Sequence, residues 1–390
     1  MSEDWKTIFS QQAFESAKSD FFSSKLPGSI LFFGAEGTGK LSSALSLSRL
    51  LSCEKNGAED CDCASCRASK EIANPSVLIC GSRACSLLIK AAQKRLLKYP
   101  SEEESKTLFI RAVRILTVRF TPFLWTGSDK LSKFAPLLTE IEDELSSISK
   151  DAKKASESIV KSCEKLEEFL YNSMPIDQVR AALEWARIKP SHAKKVLILE
   201  NAERMQEGSR NALLKILEEP PLDAVFILTT ANRGAMMQTI LSRVRPYSFS
   251  PRSKSVEKDI LRAVFREESD LSISEYLNSF LPISHAEIRE KAKSYWRTIC
   301  SGKIPQADAL VKECATFSPR SVFFDFLRAL FEESCDFSSN SFSSMKSEIA
   351  ASVSSSVRDA WNAVSVFNQT PVAAIECLTR ELFHSIRLSR

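Results

Sequence analysis

The sequence predicts an α/β module built on a parallel sheet, interrupted by a long helical insert and followed by all-helical domains. Three observations carry this. Short, wholly apolar runs at residues 30–33, 77–80, 195–199 and 224–228 alternate with stretches of helical period, as in a parallel sheet covered on both faces. A glycine-rich loop joins the first of these runs directly to a helix. From residue 253 to the end no segment has strand character.

Taken in order, residues 5–25 read as a helix, with Ile8, Phe9, Phe14, Ala17 and Phe21 near a helical period, stopped by Pro27-Gly28. Ile30-Leu31-Phe32-Phe33 is the first strand, and a helix over residues 40–52 carries Leu41, Ala44, Leu45, Leu47 and Leu50. Residues 77–80 form the second strand. Residues 195–199 and 224–228 are two more, with a helix at 209–218 between them that ends at Pro220-Pro221. Residues 245–249 are a weaker fifth strand.

Residues 81–171 differ in composition, being helical, charged and rich in Ser, Lys and Glu. Phe134, Leu138, Ile141, Leu145, Ile148, Ala152, Ala155 and Ile159 alternate steps of four and three, a heptad seam. The seam predicts a long helical hairpin projecting from the α/β core, its apolar stripe either buried within the chain or offered to another chain. Lys90, Lys94, Arg95, Lys98, Arg111, Arg114 and Arg119 give its first arm a basic tendency, compatible with a solvated face or with a DNA or partner contact.

At 390 residues the chain has room for two or three domains, and 44% hydrophobic with 26% charged residues is ordinary for a globular protein. A net charge of +4 is too small to argue for nucleic-acid binding by itself. The first residues do not read as a signal peptide, and no apolar run approaches the roughly 20 residues of a membrane helix. A cytoplasmic location is expected, where the 11 cysteines stay reduced and clustered ones bind metal more often than they form disulfides.

The loop Gly34-Ala35-Glu36-Gly37-Thr38-Gly39-Lys40 fits G-x-x-x-x-G-K between a strand and a helix, the context that pattern requires. Glycines let backbone N–H groups curl round phosphate oxygens, the helix N-terminus adds partial positive charge, and Lys40 reaches the terminal phosphates. The next position, where a Ser or Thr hydroxyl would coordinate Mg²⁺, is Leu41. Ser42 is turned about 100° round the helix. The partner acidic strand is 196–199 followed by Glu200 and Asn201. Glu200 stands at the metal-positioning Asp place, and Asn201 replaces the carboxylate that orients the attacking water. Both defects oppose hydrolysis in this chain's own site, while binding of ATP, ADP or phosphate stays open.

Residues 210–221, RNALLKILEEPP, closely resemble a signature of bacterial DNA polymerase III clamp-loader subunits of the AAA+ type, both delta-prime and gamma/tau. Thr239-Ile240-Leu241-Ser242-Arg243-Val244 resembles their Ser-Arg-Cys motif with Val in the Cys place, and Ile176-Asp177-Gln178-Val179-Arg180 the segment before the acidic strand. The resemblance covers residues 5–80 and 173–250 well. It extends loosely to the C-terminal region, where Trp361-Asn362-Ala363 through Phe367-Asn368-Gln369 and residues 378–383 are similar to a helical collar. It implies an AAA+ module over 1–80 and 172–250, a helical lid over 251–300 and an oligomerising collar over 301–390, with 81–171 as an insert. It implies a task too: opening a sliding clamp and placing it on primer-template DNA, with gamma/tau and delta subunits as partners. Arg243 would then be an arginine finger offered in trans to ATP on a neighbour, and Thr230 the residue that touches the terminal phosphate. Loss of the metal hydroxyl and the catalytic Glu with the Ser-Arg loop kept is similar to delta prime, the non-hydrolysing member. The competing expectations are an active gamma/tau-like ATPase using Ser42 and Glu200, and a non-replicative scaffold using the insert as a binding arm.

Cys53, Cys61, Cys63 and Cys66 fall together, with His192, His285 and His384 remote. Four thiolates suit one tetrahedral structural Zn²⁺, and the family resembled carries a zinc module over residues 53–66. The single residue between Cys61 and Cys63 makes Cys61 the least secure ligand, with Asp60 or water as the alternates.

Overall fold

The computed structural model describes residues 11–58, 61–171, 173–190, 193–317, 320–339, 345–365 and 369–388. The expectations placed on Ile8, Phe9, Asp60, His192, Phe367 and Asn368 lie outside these residues. The chain divides into two compact units, Met1–Leu277 and Asn278–Arg390.

In the first unit β1 (Ser29–Phe33), β2 (Val77–Cys80), β3 (Lys195–Leu199), β4 (Ala224–Thr230) and β5 (Arg245–Ser248) form one sheet in the order β2-β3-β4-β1-β5. Every neighbouring pair is parallel. Burial on both faces explains why the inner strands are continuous apolar runs: all seven residues of β4 and all five of β3 are buried. β5 is an edge strand in which only Tyr247 is buried, so it can hold Pro246 without breaking a ladder and carries a weak sequence signal. β1 lies between β4 and β5 while the next strand in sequence, β2, sits at the far edge. The carboxyl end of β1 is therefore a topological switch point, where open α/β sheets place their ligand crevice.

Helix α1 (Gln12–Phe22) packs on β5, α2 (Lys40–Ser52) on β1, β3 and β4, and α3 (Ala64–Lys70) on α2. The insert contributes α4 (Ser86–Lys98), α5 (Glu103–Thr117), α6 (Lys130–Ser147) and α7 (Ala152–Glu167), with 3-10 turns at Val118–Phe120 and Pro122–Trp125. After it come α8 (Ile176–Arg187), α9 (Glu207–Glu218), α10 (Gln238–Leu241), α11 (Lys254–Ile260), a π turn at Leu261–Phe265, and α12 (Ile273–Asn278).

The expected hairpin forms between α6 and α7, but the apolar seam is not one helix stripe. The chain turns at residues 148–151, so the spacing continues across the turn by coincidence of length. The insert also does not stand away from the sheet. Phe134, Ile141, Leu145, Ile148 and Ile159 belong to the same continuous core as β1 and β4, joined through Phe109, Val113 and Leu116 of α5. Phe120 stacks on Trp125 at 5.3 Å and meets Phe134 edge-on at 5.0 Å. The seam is thus a buried intrachain stripe.

Several basic residues of the insert's first arm have partners within the chain. Lys90 pairs with Glu164 at 2.7 Å, Lys94 with Glu267 at 2.6 Å and Arg114 with Glu71 at 2.7 Å. Arg111 donates to the Lys70 carbonyl at 2.8 Å. Arg95 is buried, donating to the Val264 carbonyl at 2.6 Å and to the Ser105 hydroxyl at 3.1 Å.

The second unit holds α13 (His285–Cys300), α14 (Ala307–Glu313), α15 (Arg320–Ser339), α16 (Met345–Ser365) and α17 (Pro371–Leu388). Its core is separate and centres on Trp296, Phe317, Phe323, Phe326 and Ile375. A capping box of Ser284 and Glu287 starts α13. Among the described residues beyond 253 there is no strand, and no described helix is long and apolar enough to cross a membrane.

Candidate functional site

The loop at the carboxyl end of β1 has the backbone its glycines permit. At Gly34 a Cβ would lie 2.2 Å from the Phe249 carbonyl oxygen, so only glycine allows β5's end to approach here. Gly37 and Gly39 carry φ of 76° and 91°. The Gly34 N–H donates to the Thr230 carbonyl at 3.3 Å, tying the loop to the end of β4.

The loop's cations are turned on the loop itself. The Lys40 ammonium donates to the carbonyls of Gly34 and Ala35, both at 2.6 Å. Arg252 donates to the Gly37 carbonyl at 2.9 Å. Burial is the main cause that lowers the Lys40 amine to about 8, with Arg83 adding to it and the Glu36 and Glu203 carboxylates opposing it. Leu41 is buried in the core, as its side chain requires. Thr230 is fully buried and its hydroxyl accepts the Asn232 N–H at 3.0 Å.

Glu200, directly after β3, is 5% exposed and holds its N–H on the Cys80 carbonyl at 2.8 Å. Its carboxylate is paired with the guanidinium of Arg119 from the insert, and Arg83 lies 3.9 Å from its other oxygen. Burial alone would lower the Arg119 pKa; the Glu200 charge more than offsets this and raises it above the ordinary value. The same guanidinium donates to the Ile115 carbonyl and lies 3.5 Å from the Cys85 sulfur. Burial pushes the neighbouring Cys80 and Cys85 thiols up to about 12 and about 11, so neither is a thiolate at neutral pH.

The structure brings Gly34, Gly37, Gly39, Lys40 and Thr230 to one end of the sheet, with Glu200 at the same carboxyl edge. It does not bring Arg243 there. β5 runs parallel to β1 with Arg245 opposite Ile30, so Arg243 precedes the start of the strands. Four strand residues between Ile30 and Gly34 span roughly 13 Å. At that opposite end the Arg243 guanidinium pairs with Glu218 at 2.7 Å and donates to the Thr239 carbonyl at 2.7 Å. Pro220 packs against Gly28, and Leu222 is 90% exposed.

The four cysteines converge. The sulfurs of Cys53, Cys61, Cys63 and Cys66 all lie within 4.8 Å of one another, and all four residues are buried. A tetrahedral zinc with Zn–S near 2.3 Å needs sulfurs roughly 3.8 Å apart, a small contraction of this set. Backbone N–H groups of Lys55 and Cys66 donate to Cys53 and Cys63 at 3.3 and 3.4 Å, as they do to metal-bound thiolates. Arg49, buried in α2, places a guanidinium nitrogen 3.9 Å from the Cys66 sulfur. Asn74 fastens the segment to the core, its amide 2.9 Å from each of the Ser52, Ser65 and Ser69 hydroxyls.

A sequence profile of the family described as "DNA polymerase III, delta subunit" matches residues 9–119 and 137–253, more than half of the chain. The chain belongs to this family. The match runs through most of 81–171, leaving out residues 120–136, so the family likeness reaches further into the insert than the local motifs do. The DNA polymerase III subunit delta' of Haemophilus influenzae is 33% identical over 89 residues, 23% of this chain and 27% of that protein. The subunit tau of Bacillus subtilis is 36% identical over 75 residues, 19% and 13% of the two chains. The subunit gamma of Buchnera aphidicola is 31% identical over 111 residues, 26% and 31% of the two. Each of these matches spans less than a third of the relative.

For a delta-subunit family member this site contains residues that sequence reasoning did not assign. Arg119, Arg83 and Arg252 act on the loop or on Glu200 from segments distant in sequence, and no local motif marks them. Glu203, one helical turn past Glu200, accepts the Ala231 N–H at 3.4 Å and adds a carboxylate near Lys40. The burial of Lys40 has a direct consequence. Its acylation by an amine-reactive reagent should be half-maximal near pH 8, while ordinary exposed lysines follow a pKa of about 10.4. Site-resolved competitive labelling measures this, and a Lys40 profile that coincides with the surface lysines would refute it.

Proposed function

We propose that this chain is a non-hydrolysing, delta-prime-like subunit of a cytoplasmic DNA polymerase III clamp loader. In this reading it helps a complex with gamma/tau and delta subunits open the sliding clamp and place it on primer-template DNA. Residues 251–300 serve as the lid and 301–390 as the collar that joins the ring. Zinc, held by Cys53, Cys61, Cys63 and Cys66, has a structural role. The chain's own loop is a phosphate cradle without turnover, and any ATP or ADP there is a bound ligand only.

The observation that carries this reading is the separation of Arg243 from its own loop. A guanidinium at the opposite end of the parallel sheet cannot act on a nucleotide at Lys40, but with its side chain 26% exposed it is partly open to a neighbour. Its contact with Glu218 is a partly exposed ion pair worth about 0.2–1 kcal/mol, so release to a neighbour's phosphate costs little. In a reconstituted loader, Arg243→Ala should lower ATP turnover at the adjacent site by about 10³-fold or more, the usual effect of an arginine finger. Unchanged turnover and clamp loading would remove this role.

A second reading, an active gamma/tau-like ATPase, is favoured by matches to subunits tau and gamma at 36% and 31% identity, against 33% for delta'. Turnover by the purified chain that Lys40→Ala abolishes would establish it in place of the first.

A further inference from the structure

We propose that Arg119 is a resident cation that takes the place of a divalent metal at Glu200 and keeps the nucleotide site shut. The proposal deepens the reading of this chain as a subunit without turnover and rests on it. A nucleotide–metal complex needs a carboxylate at the end of the acidic strand with a lone pair free to face the metal or its waters. Here that carboxylate is 4% exposed on its side chain and is already neutralised by a guanidinium that is 2% exposed.

The pair is held from several sides. Arg119 ends α5 in a 3-10 turn, its carbonyl accepts the Trp125 indole N–H at 2.9 Å, and Trp125 stacks on Phe120 and on Tyr171. Glu167, at the end of α7, accepts the N–H groups of Cys85 and Ser86 and so anchors the start of α4 beside the pair. Gly81 lies so close that a Cβ there would meet the Glu200 Cβ at 2.7 Å. The loop shows the same self-sufficiency: Lys40 and Arg252 spend their charge on the carbonyls of residues 34, 35 and 37. The side chains that would face Mg²⁺ or phosphate, those of Glu200, Lys40 and Arg252, each have a partner within the protein, and the partner of Glu200 comes from the insert.

The test is equilibrium binding of a fluorescent ATP analogue, with and without Mg²⁺, to the full chain. Wild type should show no saturable Mg²⁺-dependent binding. Arg119→Met should bind at least about tenfold more tightly, a gain of the size one good charge contact supplies, and should require Mg²⁺. Lys40→Ala in that background should remove the gain, and Arg119→Met/Glu200→Met should not show it. A folded Arg119→Met chain that binds no better than wild type overturns the proposal, as does wild type binding as tightly as the variant. Hydrogen exchange on wild type gives a second readout that needs no variant. Amides 115–120 should keep their protection in excess Mg²⁺-ATP, and loss of protection there overturns the proposal. Failure on either count leaves the trans role of Arg243 standing, since that role is read from turnover in the reconstituted complex.

Discussion

Replacing Cys63 and Cys66 together by Ser is expected to release one equivalent of bound zinc per chain and to unfold residues 53–74 locally. The helix α3 has seven residues and buries one side chain, Cys66. A helix that short has no stability of its own in water. What holds it is the cysteine cluster and the Asn74 hydroxyl network. Structural zinc supplies about 10–16 kcal/mol in isolated zinc-finger peptides, comparable to the entire stability of a domain at about 5–15 kcal/mol. A seven-residue helix cannot replace such a contribution. The sheet can, because its core is built from β1, β3 and β4 and does not use these cysteines. Four thiolates on Zn²⁺ leave two negative charges, and the buried Arg49 guanidinium beside Cys66 is placed to offset one of them. Elemental analysis and hydrogen exchange measure both effects. A wild-type chain free of zinc, or a double variant with residues 53–74 still protected, would sink the expectation.

The second large effect is on stability at Glu200. Glu200→Ala leaves Arg119 charged, buried and without its carboxylate, and removing one partner of a buried ion pair typically costs about 3–5 kcal/mol. Arg119→Met/Glu200→Met removes both charges at similar volume, and such swaps are neutral or stabilising by about 1–4 kcal/mol. The double variant should therefore unfold at a denaturant concentration equal to or above that of wild type, and Glu200→Ala well below. The Trp125 indole, bonded to the Arg119 carbonyl, reports the transition by fluorescence. A loss under about 1 kcal/mol for Glu200→Ala, the range of an exposed pair, would show that the pair is not sealed from water.

Much of the site was legible in the chain because its determinants are local. A strand, a glycine turn and a helix N-terminus are adjacent in sequence, so residues 34–40 mark a loop of the phosphate-cradle pattern, and Leu41 and Asn201 are legible as departures from that pattern. The cysteines lie within fourteen positions of one another and are found together in space. The strands buried on both faces were visible as apolar runs, whereas β5, an edge strand exposed at Arg245, Pro246 and Ser248, was faint for the same physical reason. The insert misled because periodicity records which face of a helix is buried and not what covers it. Its seam pointed to a projecting hairpin, and the stripe proved to be continuous with the sheet's own core.

By itself the sequence determined the parallel α/β module, the glycine loop at Gly34–Lys40 and the four-cysteine cluster, each read from runs or spacings of neighbouring residues. Only the tertiary structure decided that Arg243 stands at the far end of the sheet from that loop, and that Arg119 reaches Glu200 across 81 positions of chain. Both facts follow from strand register and the packing of an insert. Those are long-range consequences of burying apolar surface, and no stretch of local sequence contains them.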